Sequence, residues 1–501
     1  MSDKLDPKNW IFMSQRQRMS PFPNYLSMES VCVEMEDFVG EKLDGVLLFF
    51  EKNIMNAFPE IKSYERVGKA LVEKIYQNPN LCADLVKKQE QLGFELVDYS
   101  KKIGKQVDNK TSNQELLEMY LRYAKGYKQI YACYGWIWSA EDFFIKKLLE
   151  LVETKVKGDS VKAMDILNTL TRQPSAMVAT VERHARLKLA VRISEHSDWN
   201  KFVIDKNLEK IKEVAELDDL IKKHVDNYFW VTRDYEDPIL DFNQVVDRLG
   251  KNLQENTIKK LENLGQDLRQ HEQKRRAYLK DLAFDQQERA LFEAMRNVAH
   301  LKELRKRYVS ESGYYFDSVL EQIAKRLYLS LQQVRMMTPE DLDRSLFKGE
   351  DLSDELNHRY QLSLWHCNQG VTEVITGQQA EELYGQMCQV DKNAKEFIGM
   401  PVSPGVARGP VKIIMNPDEC DKVKKGDIIL SVQVVPSFST ALIKAGGLVC
   451  DGGHGITSHP ATLAREAGIP GVIQTRYARE VFKDGDMVEV DGYKGTVKLL
   501  N

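Results

Sequence analysis

Residues 452–471 read Gly-Gly-His-Gly-Ile-Thr-Ser-His-Pro-Ala-Thr-Leu-Ala-Arg-Glu-Ala-Gly-Ile-Pro-Gly, and they place His459 where a glycine-rich turn opens a short helix. Gly452, Gly453 and Gly455 allow close backbone approach and positive φ, while Thr457 and Ser458 are good N-cap residues for a helix over about 459–467. Gly468 and Pro470 end it. The start of such a helix carries roughly +0.5 of an elementary charge and unpaired N–H groups, which favour a phosphate dianion. An imidazole of ordinary pKa, about 6.5, is largely neutral near pH 7 and nucleophilic toward phosphorus. From these residues alone, a surface histidine beside an ordinary turn stands equally open.

The neighbouring segments extend the pattern. They are Gly399-Met-Pro-Val-Ser-Pro-Gly-Val-Ala-Arg-Gly-Pro-Val-Lys, Gly426-Asp-Ile-Ile-Leu, Val435-Pro436 and Ala445-Gly-Gly-Leu-Val. After the histidine come Ala464-Arg-Glu-Ala-Gly-Ile-Pro-Gly-Val and Gly485-Asp-Met-Val-Glu-Val-Asp-Gly-Tyr-Lys-Gly-Thr-Val. In this order, from about Phe397 to Asn501, the sequence resembles the phosphohistidine or swivelling domain of the phosphoenolpyruvate-utilising enzymes. These include phosphoenolpyruvate synthase, pyruvate phosphate dikinase, rifampicin phosphotransferase and phenylphosphate synthase. The resemblance implies that His459 of the Thr457-Ser458-His459 motif carries a phosphoryl group, with Thr457 and Ser458 beside it and Gly452, Gly453, His454 and Gly455 forming a phosphate loop. Arg465 and Glu466 match the motif as supporting residues, although Arg465 lies six positions after His459 and so on another side of the helix. Two departures stand out: His454 replaces a usual glycine, and Pro460 replaces a usual alanine, which the first helical turn tolerates.

Elsewhere the composition is that of an ordinary soluble chain: 501 residues, 43% apolar, 29% charged and a net charge of −4, with nothing to point to nucleic acid. Seven scattered cysteines without a Cys-x-x-Cys pair indicate neither a disulfide framework nor a metal site. Without a signal peptide or a membrane-spanning apolar run, a cytoplasmic location is expected.

Glycine marks the main boundary: 15 fall in residues 1–390 and 14 in 391–501. Upstream, Leu291, Met295, Val298, Leu301, Leu304 and Tyr308 recur at helical spacing. Downstream, Val411–Met415, Ile428–Val432, Leu448–Cys450, Val472–Gln474, Met487–Val490 and Thr496–Leu499 read as strands alternating with two short helices. The expected architecture is therefore multidomain, a large all-α N-terminal region followed by an α/β swivelling domain. Its blocks are 1–236, 237–390 and 391–501, with a polar hinge at residues 389–396. The middle block more weakly resembles, from about Phe284 to Gly349, the helical segment before the swivelling domain in the same phosphotransferases, and the stretch from His224 to Pro238 is similar to part of their substrate-side domains.

Tyr120, Tyr123, Tyr127, Tyr131, Tyr134 and Trp138 are spaced 3, 4, 4, 3 and 4 residues apart, 18 residues over five intervals, which is one face of a helix. The ordinary reading is a packed core face. The alternative is a pocket for a small-molecule acceptor, with Trp136 at its rim. Similarly, Arg289, Arg296, Arg305, Lys306 and Arg307 read as a solvated helix face paired with Glu288, Glu293 and Glu303, or as a surface that receives the phosphohistidine.

Family members that charge their own histidine from ATP carry a glycine-rich ATP-grasp domain, whose make-up residues 1–390 do not share. The resemblance thus implies a phosphotransferase component: a separate ATP-grasp partner, using Mg-ATP, or phosphoenolpyruvate itself, would charge His459, and the helical region would present the acceptor. No cofactor or metal is expected on this chain, and no membrane contact. The alternative is a non-catalytic scaffold or regulatory binding protein derived from such an enzyme.

Overall fold

The computed structural model describes residues 5–157, 159–172, 178–233, 236, 238–388, 391–435, 438–453, 455 and 458–500. The backbone forms two compact units. One combines Met1–Val72, Thr111–Ile145 and Leu320–Asn501; the other combines Glu73–Lys110 and Lys146–Val319. This division cuts across the sequence blocks 1–236, 237–390 and 391–501, because the chain enters the second unit twice and returns.

The N-terminal region is predominantly helical, as expected, but not wholly so. The first unit holds a five-stranded antiparallel sheet built from β1 (Ser14–Gln17), β2 (Gly45–Glu51), β3 (Ile54–Pro59), β4 (Ser363–Asn368) and β5 (Val371–Thr376) in the order β1-β3-β2-β4-β5. Central β2 is an unbroken apolar run, Val46 to Phe50, and every one of these residues is buried because both sheet faces are covered. β4 and β5 are joined by Gln369 and Gly370 at φ 50° and 84°, the pair of left-handed residues that a tight two-residue hairpin demands.

One face of this sheet meets the helix Pro21–Cys32, whose Tyr25 stacks on Trp365 of β4 with centroids 5.3 Å apart. Behind it runs the helix Asn113–Ala132, and the Tyr25 and Tyr120 hydroxyls hydrogen-bond at 2.6 Å. The aromatic stripe is therefore a packed face: Tyr120, Tyr123, Tyr127 and Tyr131 are each at most 2% exposed. Trp136 is not a rim residue, since it is 1% exposed and donates Nε1–H to the Cys133 carbonyl. On the opposite face Leu47, Phe49, Phe58 and Leu364 pack with Leu383, Cys388 and Tyr477.

The eight-stranded C-terminal sheet comprises β6 (Glu396–Ile398), β7 (Met400–Ser403), β8 (Val406–Ile413), β9 (Ile428–Ser431), β10 (Gly447–Cys450), β11 (Gly471–Ile473), β12 (Met487–Asp491) and β13 (Thr496–Leu499), in the order β6-β13-β12-β8-β9-β10-β11-β7. β8 through β11 are parallel, and the outer pairings are antiparallel. All six expected strands are present within a few residues. β8 starts earlier than expected because Val406–Pro410 pair with β12. Alternation divides the core: Ile429, Leu448, Cys450 and Ile473 pack with Ala461 and Ala464, while Ile428, Leu430, Val449 and Val472 line the other face.

The second unit is helical. Its longest helix, Gln286–Leu327, buries Leu291, Met295, Val298, Leu301 and Tyr308 as their spacing predicts. Its basic row is only partly solvated. Arg296 faces Glu293 at 3.6 Å and Arg307 faces Glu311 at 3.7 Å, whereas Arg305 is buried at 9% exposure, contrary to the solvated-face expectation. Glu288 pairs with Lys155 at 3.2 Å instead of an arginine of its own helix.

Candidate functional site

The site begins at the end of β10. Asp451 is buried, and its carboxylate accepts from Thr475 Oγ1 at 2.7 Å and from the backbone N–H groups of Ala478 and Arg479 at 2.9 and 3.0 Å. Burial pushes its carboxyl up to about 6, and these donors only partly offset that. Asp451 thereby ties the start of the histidine loop to the segment after β11.

Gly452 follows, and only glycine fits there: a Cβ would stand 2.5 Å from the Gln15 carbonyl oxygen of β1 and 2.6 Å from that of Val432. Gly453 and Gly455 adopt φ of 88° and 71°, the left-handed region. A Cβ on Gly455 would lie 2.6 Å from Oε2 of Glu141, a carboxylate near the start of the helix Ile137–Lys155. The Gly455 carbonyl accepts from the Ser458 N–H at 3.1 Å, closing the turn into the helix His459–Ala467.

The helix bounds match the expectation, with Ser458 at the N-cap and Gly468 at φ 68° ending it. The expected cap bond from the Ser458 side chain is not made; its Oγ is buried without a hydrogen-bond partner among the described residues. His459 is the first helical residue and is partly exposed. His454 and Thr457 lie outside the described residues. Arg465 donates to the Val402 carbonyl of β7 at 3.0 Å and to Thr462 Oγ1 at 3.4 Å, which ties the helix to the sheet; Glu466 is exposed. Neither contact is with the loop.

Sequence reasoning missed the surface on which the loop rests. Residues 12–18 form a strip along it: Arg476 sits 4.9 Å from the Phe12 ring centroid, Gln474 Nε2 donates to the Met13 carbonyl at 3.5 Å, and Gln17 approaches Met415 Sδ at 3.8 Å. Arg18 bonds Asn416. Gln474 and Arg476 both hold left-handed backbone, φ 60° and 67°, strain that the surrounding contacts must offset. No local pattern in residues 12–18 or around Glu141 announces these contacts, since they link positions more than 300 residues apart.

The family described as PEP-utilising enzyme, mobile domain, matches residues 423–495, which span the loop, the histidine helix and the strands around them. The chain carries the mobile domain of the PEP-utilising enzymes. Among its relatives, the uncharacterized phosphotransferase YvkC of Bacillus subtilis is 34% identical over 158 residues, 31% of this chain and 19% of that protein. The probable phosphoenolpyruvate synthase of Archaeoglobus fulgidus is 30% identical over 170 residues, 32% of this chain and 22% of that protein. The phosphoenolpyruvate synthase of Pyrococcus furiosus is 39% identical over 133 residues, 26% of this chain and 15% of that protein. The matched region is thus about a fifth of each relative's length. The match of residues 423–495 to this mobile domain supports a role in phosphoryl transfer. Among the described residues no helix is long and apolar enough to cross a membrane.

Proposed function

We propose that this chain is a phosphotransferase component in which His459 carries the phosphoryl group between a donor and an acceptor. The observation that supports this most directly is the position of His459 as first residue of a helix, behind a turn with two left-handed glycines and beside a buried serine hydroxyl without a hydrogen-bond partner among the described residues. That hydroxyl and the helix N-terminus suit phosphoryl oxygens. The donor side is phosphoenolpyruvate, in keeping with the names of the relatives, or a separate ATP-grasp protein using Mg-ATP. The mobile domain then swivels about residues 389–398 to bring the histidine to a small-molecule acceptor. Division into two displacements lets one nucleophile serve two sites.

The test is labelling of the full chain with phosphorus-32 phosphoenolpyruvate, or with ATP plus the partner, followed by peptide mapping. An acid-labile, base-stable label on the peptide containing His459 is expected. Label persisting in His459→Ala would overturn the proposal, and absence of any label with every donor would favour a scaffold instead.

A further inference from the structure

Two buried thiols, far apart in the chain, meet where the helix Pro21–Cys32 ends against β4. Tyr25 of that helix stacks on Trp365 of β4, and the positions that continue the same two faces, seven residues on in the helix and two on in the strand, are Cys32 and Cys367. The surrounding contacts fix the same register. Thr372 of β5, the cross-strand partner of Cys367, donates its hydroxyl to Glu29 Oε1 at 2.7 Å, and Glu29 lies one turn before Cys32. A Cβ on Gly370, in the hairpin after Cys367, would stand 2.8 Å from Cγ2 of Val33. Cys32 and Cys367 are 1% and 0% exposed, and their thiols hydrogen-bond to each other. Their burial is shallow: Val33 and Gly370 beside them are exposed, so a small oxidant has little to cross.

The two sulfurs differ. The bond from Cys32 holds the Cys367 thiol below its ordinary value against burial, with help from the Gly370 N–H, while the same bond and burial raise Cys32 well above its own. Elsewhere burial pushes Cys82 and Cys388 up to about 12 and also raises Cys420 and Cys450. The thiolate is the reactive form, so Cys367 reacts first.

We propose that Cys32 and Cys367 are a redox-modification site, where a peroxide converts the pair to a disulfide that staples the end of the helix to the sheet. The Cys367 sulfur attacks one peroxide oxygen, the O–O bond breaks, and the departing hydroxide takes up the thiol's proton as water. The Cys32 sulfur then attacks the sulfenic acid on Cys367. The S–S bond forms, the S–O bond breaks, and the hydroxyl leaves with the Cys32 proton as a second water. Two electrons pass from the sulfurs to the peroxide, and no step depends on His459.

The test treats the reduced full chain with a few equivalents of hydrogen peroxide, blocks the remaining thiols in denaturant and maps peptides without reduction. A peptide joining Cys32 to Cys367 is expected, the count of free thiols should fall by two from seven, and dithiothreitol should restore it. In Cys32→Ser, dimedone should trap a sulfenic acid on Cys367; in Cys367→Ser it should trap none on Cys32. A thiol count that stays at seven would overturn the inference, as would disulfides scattered among the other cysteines with no Cys32–Cys367 peptide. The measurement on the natural chain decides this even if a serine variant fails to fold.

Discussion

At the loop, single atoms decide what is tolerated. Gly455→Ala meets two penalties at once, a left-handed φ of 71° and a Cβ 2.6 Å from the Glu141 carboxylate. It should destabilise the chain by more than about 1 kcal/mol in denaturant unfolding. Adding Glu141→Ala should recover only the steric share, so the double-mutant cycle should show coupling between the two positions. Asp451 gives a pH signature. Its carboxyl is raised to about 6 by burial, against about 3.9 in an unfolded chain. The native state therefore holds the proton longer, and the stability this confers is complete below pH 4 and lost as pH rises through 6. In Asp451→Asn that loss should vanish, so the stability difference between the two chains should change by up to about 2–3 kcal/mol between pH 4 and 7. His459 and its glycines were legible because φ freedom and helix capping are local properties. Glu141 was not, because nothing within a few residues of it distinguishes it from any acid in a helix.

Among the elements, the helix His459–Ala467 was readable to the residue from its flanking serine and glycine, and the C-terminal strands from short β-rich runs between glycines. The five-stranded sheet escaped. Its centre, Val46–Phe50, is a five-residue apolar run that reads equally as buried helix, and its neighbour β4 lies some 300 residues further along the chain. Arg465 shows how a motif residue can brace the element that carries it. Since it anchors the helix to the Val402 carbonyl, Arg465→Ala should lower stability by about 1 kcal/mol while His459 still accepts label. The contacts of residues 12–18 predict a different outcome for Arg476→Ala. Loss of its stacking on Phe12 removes about 0.5–2 kcal/mol of docking, and it should appear as faster proteolysis of the linker at residues 391–395, not as loss of labelling.

For the whole molecule, the division into two units was not foreseen, because the chain passes between them more than once and sequence blocks cannot show that. The hinge expected at residues 389–396 is open to a direct test. Asp391 to Lys395 are largely exposed and precede β6, so limited trypsin digestion should cut near Lys392 or Lys395 and release a fragment of the last hundred or so residues. Calorimetry of the full chain with Mg-ATP should show no micromolar binding; a clear heat signal would place nucleotide chemistry on this chain and remove the need for a partner.

The strip along β1 bears on the proposed swivelling. β1 is the outermost strand of its sheet, and Gly452 presses on its Gln15 carbonyl, so the swivelling proposed above would lay bare backbone groups on which a strand from another molecule could align. The sequence over residues 14–18 is Ser-Gln-Arg-Gln-Arg, with no large apolar side chain and two arginines. Charge of that kind is how exposed sheet edges avoid fibre-like association. Under that proposal the strand is a dock when covered and its own gatekeeper when open, and replacing Arg16 and Arg18 with isoleucine should produce concentration-dependent aggregation.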